Sequence, residues 1–507
     1  MTTSVNPDDF IRAFESGQTQ LVWEWVSSDL ETPVSAYVKL CGDAPYSFLL
    51  ESIEGGTTLG RYSVIGFDPD LIWRCRGGAV DVCDTSGNWS DIEGEALPSL
   101  RRTLNESKID TVPQGLPPMA VSGLFGYIGY DMVRLIEKLP DDNPDDLNIP
   151  DSVLMRPSAL AIFDNVKQMA CLVVPVYQHA NNTGRDCDTV LTDAQTRLQG
   201  LKEALQRPKD LSFLEKPSAL SAPLDVRSNM TQDAYKDAVR KIVQYTLEGE
   251  IFQCVPSQRF SIDYDLPSLA FYRSLRRINP SPFMFHLSLD GFELVGASPE
   301  ILVRVRDSQV TIRALAGTRK RGATPEEDKA LEAELLADEK ECAEHLMLVD
   351  LGRNDVGRVS EYGSVKVTDQ FIVEYYSHVM HIVSNIVGKL KSSLDIVDAL
   401  FAGFPAGTLS GAPKVRAMEI IDEVEVSRRG AYAGGVGYLS ANGTLDTCIA
   451  IRTALIKDGK MYIQAGAGVV ADSDPEMEYQ ETVNKAQALV RAAEQSIEMS
   501  QATGQKK

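Results

Sequence analysis

Two turn dipeptides in the last quarter of the chain constrain its fold more than any other sequence feature. Asn442-Gly443 and Asp458-Gly459 each interrupt apolar runs in "AYAGGVGYLSANGTLDTCIAIRTALIKDGKMYIQAGAGVV". These dipeptides are strong hairpin signals because their residues accept the positive φ of tight turns. The segment is therefore predicted to be an antiparallel meander. If both turns are two-residue loops, Arg452 pairs with Ala433 on one side and Ala465 on the other.

The predicted register also places Arg452 in the neighbourhood of Tyr432 and the glycines Gly466 and Gly468. Glycine backbone with free amides suits an anion. The stretch "GAGVVA" fits the dinucleotide pattern G-x-G-x-x-A, but "DSDP" follows where the helix should begin. No acidic strand end follows about twenty residues later. We therefore keep an anion-binding interpretation and reject a nucleotide site.

The rest of the chain predicts two domains. Residues 1–205 contain strand-like runs separated by Gly-Gly and Asp-Pro breaks, and an acidic insert, "KLPDDNPDDLNIPD", predicts a surface loop. Residues 206–228 mix Pro, Ser and charge without a period, which is typical of a linker. A second domain, 229–499, begins with a helix capped by Thr231, and residues 500–507 are expected to fray. We predict a two-domain α/β (α+β) protein whose packed antiparallel or mixed sheets form a sandwich-like core with helices outside.

Composition limits the functional classes. The net charge of −22 argues against binding to nucleic acid or to anionic membranes. The longest apolar region, "ALAIFDNVKQMACLVVPVY", is broken too early for a membrane span and predicts two strands around an Asp-Asn turn. The eight cysteines form no C-x-x-C pair, and the amino terminus is not signal-like, so a reducing, cytoplasmic location is predicted. If the substrate is an anion, the site must supply local positive charge.

Two predicted helices each carry glutamates three residues apart, Glu341 with Glu344 and Glu478 with Glu481. One such pair alone is usually a solvated face. If the pairs converge, each like-charged contact costs about 4 kcal/mol at ~4 Å and an effective dielectric of ~20. Convergence therefore requires a metal ion, protonation or the nearby Lys485. Oxygen-only ligands suit Mg²⁺.

Capping signals define these helices. Thr324 with Glu327 forms a capping-box pattern for a first helix. Asp338 is placed to cap a fresh start, so the stretch that follows is predicted to be a separate helix. Ser473 or Asp474 is expected to cap the helix that carries the second glutamate pair.

Other metal and catalytic motifs fit less well. A di-iron site needs Glu-x-x-His on two helices, whereas His345 directly follows Glu344. "GTLSGAPK" lacks the G-K-[ST] ending of a P-loop. His378 and His381 lie three apart in a strand-like run and should face opposite ways, so a shared metal is not expected. One of the two can still reach a pocket. We find no nucleophile elbow for acyl transfer.

Several longer motifs resemble one known family. "ASPE" (297–300), "LAGTRKRG" (315–322), "ECAEHLMLVDLGRND" (341–355), "FPAGTLSGAPK" (404–414), "GGVGY" (434–438), "IAIRTA" (449–454) and "GAGVVADSDPEMEYQETVNKA" (466–486) together resemble the chorismate-utilising enzymes. Upstream, "LLES", "RYSVIG" and "NPSPFMF" resemble the tryptophan-responsive members of that family that form anthranilate. The resemblance implies the chorismate-utilising enzyme fold.

The resemblance implies a ligand set for the dianionic substrate chorismate. It assigns Mg²⁺ to Glu344 and Glu481, with Glu341 and Glu478 as supporting or water-bridged ligands. The implied substrate contacts are Gly317, Thr318, Tyr432, Arg452, Gly466, Ala467, Gly468 and Lys485.

The resemblance also implies the chemistry. Relatives that add water carry a lysine where this chain has Gln253, and relatives in which a lysine attacks the ring carry it where this chain has Ala316. Free ammonia attacking C2 is therefore the expected nucleophile. Glu300 is implied as the general acid for the C4 hydroxyl, a role that suits a pKa raised by burial. His381, with Thr408 nearby, is implied in the pyruvate elimination that yields anthranilate.

Partners follow from the same comparison. Without a thiol elbow for glutamine hydrolysis, a separate glutaminase subunit is implied, in a predicted heterotetramer of two large and two small subunits. A pocket for the inhibitor L-tryptophan is implied at Glu51, Ser52, Pro282, Phe283 and Met284. The alternatives are an enzyme that stops at 2-amino-2-deoxyisochorismate, one resembling aminodeoxychorismate synthase, and a non-catalytic tryptophan-binding regulator.

Overall fold

The computed structural model describes residues 6–54, 58–110, 112–121, 123–177, 182, 184–208, 214, 217–376 and 379–504. His378 lies outside them. The α-helices are α1 (Pro7–Glu15), α2 (Pro33–Leu40), α3 (Ala96–Glu106), α4 (Cys187–Gln206), α5 (Gln232–Leu247), α6 (Ser268–Ile278), α7 (Pro325–Ala337), α8 (Glu339–Val359), α9 (Ile396–Ala402), α10 (Gly407–Ser410), α11 (Lys414–Val424) and α12 (Pro475–Gly504). Short 3-10 helices cover Pro118–Val121 and Tyr130–Leu135.

The strands lie between these helices along the whole chain. They are β1 (Gln20–Ser27), β2 (Ser47–Glu51), β3 (Ile53–Glu54), β4 (Thr58–Leu59), β5 (Tyr62–Arg76), β6 (Ala79–Cys83), β7 (Trp89–Ile92), β8 (Leu124–Ile128), β9 (Ser152–Asp164), β10 (Met169–Val176), β11 (Arg227–Ser228), β12 (Gln253–Cys254), β13 (Ser257–Asp263), β14 (Phe283–Leu289), β15 (Phe292–Ser298), β16 (Ile301–Arg306), β17 (Gln309–Lys320), β18 (Lys366–Tyr375), β19 (Val379–Lys389), β20 (Gly411–Ala412), β21 (Gly435–Leu439), β22 (Leu445–Ile449), β23 (Thr453–Lys457) and β24 (Lys460–Gly466).

One continuous antiparallel network joins 20 of the described strands. It crosses between the two halves of the chain at two places, where β2 pairs with β14 and β8 pairs with β21. The predicted α/β (α+β) fold class, with antiparallel sheets and flanking helices, is confirmed. The division at residues 205 and 229 stays a prediction, because the sheets of the two halves are hydrogen-bonded to each other.

The packing explains why the sheets are apolar on both faces. One buried cluster lies between strands of both halves and includes Phe48, Phe125, Phe285 and Val436, which is the interior of the predicted sandwich. Two further clusters lie where helices cover the outer faces. Helices α1, α2, α4, α6 and α12 cover one of them, and α3, α8 and α9 cover the other.

The two hairpin turns differ from each other. The Asp458-Gly459 turn is the two-residue loop that the sequence predicts, with Lys457 paired with Lys460. The prediction for the Asn442-Gly443 turn was wrong by one residue. Leu439 pairs with Leu445, and the Ser440 amide donates to the Thr444 carbonyl, which leaves a three-residue loop.

This change of register moves Arg452 out of the predicted pairing. The Ala433 amide donates to Ala450 and not to Arg452. Arg452 lies in the gap between β22 and β23, with φ at +48°. The left-handed region costs a residue with a Cβ about 1–3 kcal/mol, and such residues cluster at functional sites.

Most local predictions in the second half are confirmed. The side chains of Thr231, Thr324 and Asp338 cap α5, α7 and α8, and Asp338 does separate α7 from α8. Asp474, not Ser473, accepts the first amides of α12. That helix continues to Gly504 because the buried Ser500 accepts a hydrogen bond from the Ser218 amide, so residues 500–504 are helical.

In the first half, the Asp-Asn turn between β9 and β10 is confirmed. The Asp68-Pro69 break did not end a strand, because β5 continues through it with a bulge. The acidic insert at residues 138–151 is a loop, as predicted. It is anchored to the second half, since Arg259 pairs with Asp146 and Asn143 donates to the Asp422 carbonyl at 2.7 Å.

Candidate active site

Helices α8 and α12 bring the two predicted glutamate pairs toward each other. The pKa of Glu344 is raised, first by burial and then by the charges of Glu341 and Glu481. The pKa of Glu478 is likewise raised by burial and by Glu481. A link between Lys340 and Asp472, at 3.0 Å, joins the starts of the two helices. The two pairs are therefore close enough for their charges to act on one another, and their convergence on one ion stays a prediction.

The donor set of this cluster fits a hard divalent cation. All four side chains offer oxygen, and their excess of negative charge calls for a counter-ion. Within the described ranges, however, no three His, Cys, Asp or Glu side chains are already arranged to hold a metal ion. Two of the carboxylates have cationic partners instead. Arg319 contacts Glu341 at 3.1 Å, and Lys485 contacts Glu481 at 2.7 Å.

Glu300 lies buried, just before β16, with its carboxylate accepting a hydrogen bond of 3.0 Å from the Thr408 hydroxyl. Burial raises its pKa to about 7, although Thr408 and then the charge of Arg452 act in the opposite direction. This raised pKa favours the protonated carboxylic acid closer to neutral pH than for an ordinary glutamate. A carboxylic acid in this state can donate a proton to a departing hydroxyl group.

His381, on β19, is fixed in one tautomer. Its Nδ1 lies 3.0 Å from the Gly317 carbonyl, which can only accept, so Nδ1 carries the hydrogen and Nε2 is left with its lone pair. Gly317 exposes that carbonyl because it bulges out of the β17–β19 ladder with φ at +68°. The Thr318 hydroxyl lies 3.1 Å from the same Nδ1. Burial lowers the pKa of His381 to about 4, so the ring is neutral.

Two cations lie close to this acid and this neutral imidazole. Burial lowers the pKa of Arg452, and Glu300 is the charge that most opposes the change. The Lys485 ammonium donates to the Gly466 carbonyl at 2.9 Å. Both cations also lower the pKa of His381. The site therefore gathers positive charge near Glu300 and His381 in a protein of net charge −22.

The glycine-rich turn after β24 is closely packed against this group. A Cβ on Gly466 would lie 3.0 Å from the Tyr432 hydroxyl, and one on Gly468 would lie 2.7 Å from Gln253 Nε2. The Ala467 amide already donates to the Pro256 carbonyl at 3.2 Å. The proposed anion contact of Ala467 would therefore require that hydrogen bond to be shared or broken.

Sequence reasoning missed three residues of the site. Gln253, considered only as the place of a missing lysine, donates from Nε2 to Glu344 at 3.1 Å. Tyr376 packs edge-on against His381, with ring centroids 5.5 Å apart. Arg319 holds Glu341. The motif "LAGTRKRG" offered a signal for Arg319, since a basic run beside a predicted acidic helix favours such pairing.

A second group of predicted residues meets where β2 pairs with β14. Glu51 lies opposite Met284 in the ladder. Its carboxylate accepts hydrogen bonds from the Tyr272 hydroxyl at 2.6 Å and from Arg276 at 2.9 Å. Beyond the strand, the Ile53 amide donates to the Ser281 carbonyl.

The other residues of this group lie next to the paired strands. The backbone carbonyl of Ser52 accepts a hydrogen bond from the Gly60 amide at 2.7 Å. Pro282 and Phe283 precede Met284 and are half-buried. The five residues predicted to bind tryptophan therefore lie together.

Two further observations concern the cysteines and the length and polarity of the helices. None of the eight cysteines forms a disulfide. Over the residues that the structure describes, every helix is too short or too polar to cross a lipid bilayer.

Comparisons with known proteins identify the family of the chain. The chorismate binding enzyme family matches residues 48–491. Anthranilate synthase component 1 of Cereibacter sphaeroides is 54% identical over 493 residues, covering 96% of this chain and 97% of that protein. The same component of Pseudomonas putida is 46% identical, covering 96% and 98%.

Solved structures give the same result. Anthranilate synthase component I from Streptococcus pneumoniae TIGR4 superposes with a TM-score of 0.75 at 37% identity, covering 92% of this chain and 99% of that one. The menaquinone-specific isochorismate synthase of Escherichia coli shares the fold, with a TM-score of 0.67 at 18% identity, covering 96% and 98%. The family match spans most of the chain and includes every residue of the site described above, so this protein belongs to the chorismate binding enzymes.

Proposed function

We propose that this protein is the chorismate-converting component of an anthranilate synthase, in which ammonia replaces the C4 hydroxyl by attack at C2 and pyruvate is then eliminated. The observation that carries the proposal is the buried Glu300 carboxyl group, held by the Thr408 hydroxyl and near the charge of Arg452. The near full-length similarity to anthranilate synthase components 1 supports the same reaction.

Each residue of the site has a separate role in the proposed reaction. Arg452 and Lys485 attract the substrate carboxylates. Glu300 gives its proton to the C4 hydroxyl, which leaves as water, while Thr408 orients the carboxyl group. His381 is neutral and presents Nε2, so it can take the C2 proton in the elimination of pyruvate. Burial of Glu300 and His381 keeps bulk water away from both transfers.

Mg²⁺ is the cofactor that the four glutamates would hold, with Glu344 and Glu481 as direct ligands and Glu341 and Glu478 in support. When bound, the ion would neutralise the ring carboxylate of chorismate and polarise it. Because Arg319 and Lys485 already contact two of these carboxylates, binding of the ion would compete with both contacts.

The partner is a second component. The name "component 1" of the relatives implies a component 2, which we propose to be a glutaminase that supplies ammonia within a heterotetramer of two large and two small subunits. We also propose L-tryptophan as an inhibitor that binds at Glu51, Ser52 and residues 282–284. A cytoplasmic location is part of the same proposal.

The experiment uses the isolated chain with chorismate, Mg²⁺ and an ammonium salt. Fluorescent anthranilate and pyruvate should form together and in equal amounts. An aminated ring without pyruvate would indicate an enzyme that stops at 2-amino-2-deoxyisochorismate or makes an aminodeoxychorismate. Tryptophan binding without consumption of chorismate would indicate a regulator that has lost catalysis.

A further inference from the structure

A small, partly enclosed cavity adjoins Glu300. Its volume is about 30 Å³, and it lies between α8, β16, β17 and the start of α10. Glu300 and Thr408 are among its lining residues. Among the described residues, none of the proposed substrate contacts lines it. A cavity of this size holds one or two water molecules, because about 10–15 Å³ on this measure is enough for one.

A second buried carboxyl group also lines the cavity. Asp355, on α8, lines the cavity and is only 6% exposed. Lys414 donates to its Oδ2 at 2.9 Å, and the Lys414 side chain keeps 13% of its surface exposed. Apolar side chains such as Leu348 and Leu351 also line the cavity. Both carboxyl groups therefore border one cavity, and Lys414, which holds Asp355, is partly exposed.

The proposed mechanism requires a place for a released water molecule and a source of protons for Glu300, and this cavity can supply both. Each turnover expels one water molecule beside Glu300, and it leaves Glu300 without its proton. Glu300 is only 6% exposed, so its direct access to bulk solvent is restricted. The charged and titratable groups that face the two carboxyls are Lys414 and Arg358 for Asp355, and Arg452, Lys485, Arg313 and Tyr376 for Glu300.

We propose that this cavity receives the water released from C4 and that Asp355 returns a proton through it to Glu300, with Lys414 as the residue that positions Asp355. The inference rests on the proposed function. In the forward step the Glu300 proton moves to the C4 oxygen, the C4–O bond breaks with its electron pair on oxygen, and water enters the cavity. In the return step, Asp355 takes a proton from solvent beside Lys414 and gives it to cavity water, which gives one to Glu300. Asp355 is then again the carboxylate that Lys414 holds.

The test compares Asp355→Asn with Asp350→Asn in the ammonium-driven assay. Asp350 is a matched control because it lies on the same helix and pairs with Arg353 at the surface. Asp355→Asn should lower kcat about tenfold to a hundredfold, at or below the lower end of the range for positioned proton transfer, and should leave KM for chorismate within twofold. The solvent deuterium isotope effect on kcat should rise, since proton return becomes limiting. The control should change neither value.

Two further variants keep the inference falsifiable. Asp355→Ala opens space for a small acid, and added formate should restore part of kcat. If Asp355→Asn does not fold, Lys414→Gln, which keeps a donor for Asp355, should lower kcat at unchanged KM. A kcat and isotope effect equal to those of the wild type in these variants would overturn the relay alone. A wild-type chain that makes no anthranilate would overturn the proposed function and the relay with it.

Discussion

Replacing Glu300 by glutamine should abolish turnover and yet make the protein more stable above neutral pH. The burial that raises the pKa of Glu300 from 4.5 to about 7 disfavours the ionised carboxylate in the folded state. The difference of about 2.5 pH units corresponds to about 3 kcal/mol at 1.36 kcal/mol per unit. Glutamine keeps the shape, can still accept from Thr408 and carries no charge.

The sign of the pH dependence follows from the two pKa values. Below pH 4.5, Glu300 is protonated in both the folded and the unfolded chain, so its burial does not lower the stability of the wild type. Between pH 4.5 and 7 the folded chain binds more protons, so wild-type stability falls as the pH rises. Above pH 7 the full cost is present. The stability gain of Glu300→Gln should therefore grow from pH 5 to pH 7 and then stay constant.

Thermal unfolding of both proteins at half-unit steps from pH 5 to pH 8 measures this difference. The control is Glu203→Gln at an exposed position, which measures the change in melting temperature caused by the loss of one surface carboxylate. A melting-temperature gap that does not depend on pH would refute the proposed burial cost of Glu300. Anthranilate formation by Glu300→Gln at the wild-type rate would refute its role as the acid.

Three further variants test the other roles. Glu481→Gln should raise the Mg²⁺ concentration for half-maximal activity at least about tenfold, whereas Glu476→Gln on the same helix should not; equal Mg²⁺ curves would refute the ligand role. Ser52→Ala should weaken tryptophan inhibition about tenfold at unchanged uninhibited kcat, and full inhibition would count against that pocket. Gly468→Ala should raise KM for chorismate several-fold, since its Cβ would lie 2.7 Å from Gln253 Nε2; an unchanged KM would show that Gln253 moves freely.

The sequence predicted the parts of the fold that depend on local chemistry. Caps such as Asp338 and the Asp458-Gly459 hairpin are fixed by residues a few positions apart, and both are confirmed. The loop at Asn442-Gly443 was not predicted correctly because "ANG" is compatible with two loop lengths. Gly443 supplies φ at +90° at the last position of the longer loop, a choice that only the packed strands settle.

The site likewise has features that the sequence predicted and features that depend on the packed structure. The spacing of the glutamates and the family motifs indicated which side chains meet, and the pKa of Glu344 responds to Glu341 and Glu481 as expected. The protonation and tautomeric states of these groups could not be predicted from the sequence. The tautomer of His381 depends on the Gly317 carbonyl, which is 64 positions away along the chain. The left-handed backbone of Arg452, in the gap between β22 and β23, is likewise not specified by the turn dipeptides.

The central claim is that the glutamates of α8 and α12 share one divalent ion that holds the substrate carboxylate. The most direct test is a crystal grown with Mn²⁺ in place of Mg²⁺ and with a carboxylate product analogue, measured by anomalous scattering. We expect a single peak between Glu344 and Glu481, with a carboxylate oxygen of the analogue in its coordination sphere. A peak elsewhere, or residues 341–344 and 478–481 turned away from a bound analogue, would contradict it.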